Sequence, residues 1–203
     1  MIEHIFPGNK SKIAVVKAIY ENPGIHLTAL IKKISVSPNL VLSYVNELCF
    51  YGVINEERIK GKKKALLRRF TSSFDNDLSL AINSLVELDK RFVFFKRYPS
   101  LKTYFTQFPA WDICVLVYGS YAQSRADRDS DLDVMIIGRL TSQQEKRIRE
   151  IFITLPTEVS LKMETVKRFL RNKDKPLYQN ILKTSIVVLG TGKFMELNRH
   201  LYK

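Results

Sequence analysis

The sequence predicts a two-domain chain of mixed α+β and α/β class. A small N-terminal domain of helices and a hairpin is followed by a linker helix and a C-terminal domain built on a small mixed β-sheet flanked by helices. Three observations carry this. Residues 10–51 hold three short apolar patterns of helical period closed by turn residues, and two β-rich stretches follow around a glycine-containing basic tip. Residues 75–97 keep helical period without a break. Beyond Trp111 the chain alternates strand and helix patterns. The boundaries this gives are 1–72, 73–110 and 111–203.

The 203 residues suffice for one large or two small domains, and a hydrophobic fraction of 45% supports a packed core. No apolar run approaches the roughly 18 residues of a membrane span. The N-terminal MIEHIFPGNK lacks a signal peptide's apolar core, so a cytoplasmic location is expected. Cys49 and Cys114 lie in apolar surroundings far apart in sequence and read as reduced, buried thiols. His4, His26 and His200 have no ligand spacing, which argues against zinc. A net charge of +13 favours a polyanionic partner such as nucleic acid.

Taken in order, Lys10–Tyr20 carries Ile13, Val16, Ala18 and Ile19 at helical spacing and is stopped by Asn22-Pro23-Gly24. After a brief extended Ile25-His26-Leu27, Thr28 is the expected cap of a helix through Ile34, with Leu30, Ile31 and Ile34 on one side. Ser37 and Pro38 are an N-cap and a first helical residue. The helix they open runs to about Tyr51 and buries Leu40 or Val41, Tyr44, Val45 and Leu48, with Gly52 at its end. Val53–Asn55 and Ala65–Thr71 read as strands bracketing Glu56–Lys64.

Three helices and a hairpin in this order resemble a winged helix-turn-helix domain, and Leu48–Asn55 resembles its recognition-helix-to-wing junction. The resemblance implies DNA binding. Seven basic side chains lie on the wing: Arg58, Lys60, Lys62, Lys63, Lys64, Arg68 and Arg69. The candidate phosphate contacts are Lys60, Lys62, Lys63, Lys64 and Arg68. Ser37–Phe50 has no Lys or Arg, so Asn39 and Ser43, with Asn46, are the candidate base readers. The rival reading is a winged helix that mediates protein contacts.

Asp75 is the expected cap of the linker helix, which runs to about Arg97. Leu78, Ala81, Ile82, Leu85, Leu88, Phe92 and Phe95 form its apolar stripe, and a leftover part of that stripe could pair subunits into a homodimer.

The chain is organised around Val115–Ile137, VLVYGSYAQSRADRDSDLDVMII. Cys114–Tyr118 is a continuous apolar run, the mark of a strand buried on both faces. Gly119-Ser120 follows at once, where the chain must turn and expose backbone N–H groups. Asp131-Leu132-Asp133 then runs into a second apolar strand. Residues two apart on a strand share a face, about 6.5 Å apart. Asp131 and Asp133 therefore project together as like charges, and a divalent cation would relieve their repulsion.

This stretch resembles the signature of the DNA polymerase β-like nucleotidyltransferase superfamily. That signature is a hydrophobic strand, Gly-Ser, a spacer such as Tyr121–Ser130, and Asp-x-Asp on the next strand. The nearest likeness is to the minimal nucleotidyltransferases, whose spacer often ends in Ser-Asp-x-Asp, as Ser130–Asp133 does. The resemblance implies a Mg²⁺- or Mn²⁺-dependent transfer of a nucleoside monophosphate from a nucleoside triphosphate to an acceptor. It implies Asp131 and Asp133 as shared metal ligands and Gly119, Ser120, Arg125 and Arg128 as groups that hold the triphosphate. Arg125 and Arg128 could equally pair with Asp127 and Asp129 in a solvated loop. Ser124 stands where many relatives have Gly.

A third carboxylate is implied on the strand Glu158–Glu164, before helix-capping Thr165. The matching position is Ser160. Glu158, two residues earlier with the same parity, is the acid that could substitute as catalytic and metal-ligating residue. The acceptor could be a nucleic acid end, a small molecule or a protein side chain, as in minimal nucleotidyltransferases that act as antitoxins by modifying a partner. The alternative is a DNA-binding transcriptional regulator with a degenerate, non-catalytic nucleotidyltransferase domain. A Glu158 carboxylate directed at the aspartate pair would favour the enzyme; Ser160 alone would favour the regulator.

Overall fold

The computed structural model describes residues 10–60 and 66–202. They fall into two compact units, Met1–Val86 and Glu87–Lys203. No described helix is long and apolar enough to cross a membrane.

In the first unit, helix α1 (Lys10–Glu21) is followed by strand β1 (Ile25–His26) and helices α2 (Leu27–Lys33) and α3 (Pro38–Phe50). The hairpin of β2 (Ile54–Lys60) and β3 (Leu66–Ser72) completes an antiparallel sheet of order β1-β3-β2. Val15, Val16, Ile19, Leu30, Ile34, Val41, Val45, Leu48 and Phe70 form its core. The choice left open between Leu40 and Val41 falls to Val41, which is fully buried. Ser37 caps α3 by accepting from the Leu40 N–H, with Pro38 in the first turn.

Two expectations need correction here. Thr28 is not the cap of α2: the helix already begins at Leu27, directly after His26 pairs with Arg69. The first wing strand is also longer than expected. Glu56–Lys60 continue β2, because Glu56 and Glu57 sit across from Phe70 and Arg69 and their carboxylates hold Arg68 and Arg69.

Helix α4 (Asp77–Arg97) spans the division between the units. Its cap is Asn76 rather than Asp75: the Asn76 side chain accepts from the Ser79 N–H at 2.8 Å. Its buried face also differs from the expected stripe. Leu78 and Phe92 are exposed, while Ser79, Asn83, Val86 and Glu87 are buried. Hydrogen bonding offsets part of the cost of that burial, with Asn83 donating to the Ser73 carbonyl at 2.7 Å and Lys90 donating to Glu87 at 2.7 Å, while Asn83 Oδ1 and Glu87 Oε2 find no partner among the described residues.

The second unit continues with α5 (Pro99–Phe105), β4 (Ile113–Tyr118), α6 (Gly119–Ala122), β5 (Leu132–Gly138) and α7 (Ser142–Ile153). Strand β6 (Val159–Glu164), helices α8 (Val166–Arg171) and α9 (Pro176–Thr184), strand β7 (Ile186–Leu189) and α10 (Thr191–Leu201) complete it. The sheet order is β6-β5-β4-β7, with β5 and β6 parallel and the other pairs antiparallel, so the sheet is mixed as expected. Thr141 and Gln144 form a reciprocal capping box at the start of α7, and Thr165 caps α8.

One sheet face carries Val115, Val117, Leu132, Val134 and Ile136, packed with Phe94, Leu101, Phe105, Ile148 and Phe152. The opposite face carries Leu116 beside Met135, and α8 and α10 lie on β5 and β4. With both faces covered, β4 is apolar throughout, which explains the unbroken Cys114–Tyr118 run. Cys114 and Cys49 are free thiols, and burial pushes both above the ordinary thiol pKa.

Candidate functional site

Strands β4 and β5 are paired so that Tyr118 stands opposite Asp133, and Gly119 begins α6 immediately after. Gly119 has φ +70, a conformation that side chains with a Cβ resist. A Cβ placed there would fall 2.1 Å from Asp133 Oδ2. The glycine thus serves two purposes: it turns the chain out of β4 and lets the backbone approach the Asp133 carboxylate.

Asp133 is partly buried, and Asp131 precedes β5 in the exposed position two residues before it. Burial raises the Asp133 carboxyl above the ordinary carboxylate pKa, the Ser160 hydroxyl draws it back, and the Asp131 charge adds to the rise. The pair is therefore under electrostatic strain that a cation between them would relieve.

Register places the third strand. Asp133 pairs with Ser160 and Leu132 with Val159, and the Leu132 N–H donates to the Glu158 carbonyl at 2.8 Å. Ser160 faces both Asp133 and the Tyr118 hydroxyl, whose pKa is raised by burial and by the Asp133 charge. Glu158 lies exposed one register step outward, at the level of Asp131. Among the described residues, no three His, Cys, Asp or Glu side chains form a group that could hold a metal ion. Asp131, Asp133 and Glu158 are accordingly not gathered into a three-carboxylate centre. The residues fit a cation shared by two aspartates and a ligand's own oxygens.

Residues 100–193 match the family model described as polymerase beta, nucleotidyltransferase. Residues 9–55 match the one described as winged helix-turn-helix DNA-binding. The chain joins a winged helix-turn-helix domain to a nucleotidyltransferase domain. No curated protein and no solved structure matches it.

In the nucleotidyltransferase domain, the spacer between α6 and β5 is held by its own backbone and by a side chain of α4. The Arg125 N–H donates to the Ser120 carbonyl at 2.9 Å, and Arg97 donates to the Ser124 carbonyl at 2.9 Å. Sequence reading missed Arg97, since a basic residue in the last turn of a helix has a sufficient local role there. The exposed Arg125 and Arg128 form no ion pair with a described residue. Asp127 instead accepts from the Ser130 hydroxyl at 2.6 Å, which holds its carboxyl below the ordinary pKa.

Ser124, noted where relatives carry Gly, has φ +58 and is the only non-glycine residue with positive φ among those described. We expect Ser124→Gly to be neutral or stabilising by up to about 1 kcal/mol, and Ser124→Val to cost about 1–2 kcal/mol, by thermal denaturation. Equal melting temperatures for the two variants would contradict the assignment of strain.

In the winged helix domain, Asn39, Ser43 and Asn46 lie exposed on α3, and Phe50 on the same helix is 83% exposed. Arg68 is engaged within the protein: it donates to both Glu56 oxygens and, at 2.9 Å, to Asn46. It ties the wing to α3. Arg58 pairs with Glu56 and Arg69 with Glu57. Lys60 is exposed and makes no ion pair with a described residue. Lys62, Lys63 and Lys64 lie outside the described residues.

Proposed function

We propose that this is a DNA-binding protein whose nucleotidyltransferase domain takes up a nucleoside triphosphate together with Mg²⁺. The observation that carries the reading is Gly119, turned at positive φ against the Asp133 carboxylate, with Asp131 two residues before it. Asp131 and Asp133 would hold the ion. The Gly119–Ser120 turn and the exposed Arg125 and Arg128 would receive the phosphates. When bound, the ion neutralises charge on the triphosphate and on the departing pyrophosphate. In the enzyme reading, the protein transfers a nucleoside monophosphate to a nucleic acid end, a small molecule or a protein side chain, and a protein acceptor could be a toxin partner. Glu158 would then be the base for the acceptor, reached by a side-chain rotation from its exposed place beside Asp131.

One observation favours a second reading, that of a regulator which binds the nucleotide without turning it over. Ser160, which cannot accept a proton at neutral pH, occupies the position facing Asp133. Pyrophosphate release from Mg²⁺ and each nucleoside triphosphate, with candidate acceptors present, separates the two readings. Turnover that is lost in Glu158→Gln supports the enzyme. Binding without turnover, with activity appearing only in Ser160→Asp, supports the regulator.

The winged helix would contact DNA through Asn39 and Ser43 on α3 and through Lys60 with Lys62, Lys63 and Lys64 on the wing. Binding to duplex DNA should weaken steeply with salt, and removing these four wing lysines should flatten the slope of log K against log salt by about 3–4. An unchanged slope would show that the wing does not touch phosphate. Phe92 and Val93, exposed on α4, are the surface through which two copies would pair.

A further inference from the structure

Strand β6 presents a second unusual residue on the face it shares with Asp133. Parallel pairing sets Asp133 beside Ser160 and Met135 beside Lys162, so Ser160 and Lys162 follow one another on the same face. Lys162 is half-buried, and its ammonium lies 5.5 Å from the centre of the Tyr178 ring on α9. Tyr178 is itself held in place, because its hydroxyl donates to the buried Glu164 carboxylate at 2.5 Å and its ring packs edge-on against Phe169. Helix α9 packs against α6, the short helix opened by Gly119 and Ser120. Lys162 makes no ion pair with a described residue.

A partly desolvated ammonium set against an aromatic ring, in no ion pair with a described residue, is a site for an external anion. Nearby backbone N–H groups at Gly119–Ser120 and a cation shared by Asp131 and Asp133 would attract the same kind of ligand. We propose that Lys162 binds the phosphate chain of the nucleotide, with Tyr178 as the platform that orients it. Strand β6 then contributes an anion-binding lysine beside Ser160. This deepens the nucleotide reading above and rests on it.

The test is calorimetric titration of a nucleoside mono-, di- and triphosphate with Mg²⁺ into the wild-type full chain and into Lys162→Met and Lys162→Arg, with melting curves as a check on folding. Lys162→Met should lose about tenfold in triphosphate affinity and at most about twofold for the monophosphate, and Lys162→Arg should retain most of the binding. Wild type that binds the triphosphate while Lys162→Met binds it equally well overturns the role of Lys162 alone. An equal loss for all three nucleotides, or a loss that arginine does not restore, also overturns it. Wild type that binds none of the three overturns the nucleotide reading itself, and Lys162 with it.

Discussion

A Gly119→Ala variant will take up no Mg²⁺–nucleoside triphosphate and will be less stable than wild type by about 2–3 kcal/mol. Two costs add. The residue has φ +70, where an L side chain costs about 1–2 kcal/mol. Its Cβ would also fall 2.1 Å from Asp133 Oδ2, so the carboxylate must leave its place. Leu132 and Val134, fully buried on the opposite face, fix the backbone of Asp133, so only its side chain can turn away. Chemical denaturation measures the loss of stability and calorimetry the loss of binding. Gly192 is the control: nothing lies within 4 Å of a Cβ built there, so Gly192→Ala should leave both properties near wild type. A Gly119→Ala protein with unchanged stability would mean that the turn relaxes freely and that this close approach is not a constraint.

The Asp131→Asn/Asp133→Asn variant will change stability and binding in opposite directions. In the metal-free protein, burial and the neighbouring Asp131 charge both oppose ionisation of Asp133. Two like charges about 6.5 Å apart in a largely solvated setting repel by about 1 kcal/mol. Removing them should raise metal-free stability by about that amount while abolishing the gain in melting temperature that Mg²⁺ and nucleotide give wild type. The sign also fixes a pH dependence. Because the Asp133 pKa is raised on folding, this group's stabilising contribution to the metal-free protein is full below its unfolded pKa and is lost as pH rises through its folded value. The double variant should lack that component. A variant less stable than wild type without metal would show that the carboxylates serve structure, not ligand binding.

Much of this architecture was legible because it rests on local chemistry. Ser37 with Pro38, Thr141 with Gln144, and Thr165 all cap the helices that their residue types announce. The apolar run ending at Tyr118 is the central strand, and Val159, Leu161 and Met163 turn to the core as their alternation requires. What stayed hidden depends on partners distant in sequence. The buried face of α4 is partly polar, and nothing in its own periodicity reveals that Asn83 finds the Ser73 carbonyl. Arg68 reads as a free wing cation until Glu56 and Asn46 are placed beside it. The aspartate pair and the Gly-Ser turn were visible from spacing, and the mismatch at Ser160 from the resemblance to the nucleotidyltransferases. Alternation already put Ser160 and Lys162 on one face; that Ser160 stands against Asp133, and Lys162 against Met135, needed the strand register.

The most direct test is calorimetric titration of Mg²⁺–ATP, and then of the other nucleoside triphosphates, into wild type and into the Asp131→Asn/Asp133→Asn variant. The account predicts saturable, Mg²⁺-dependent binding of at least one triphosphate to wild type and none to the variant. Wild type that binds no triphosphate, or a variant that binds as well as wild type, would contradict it.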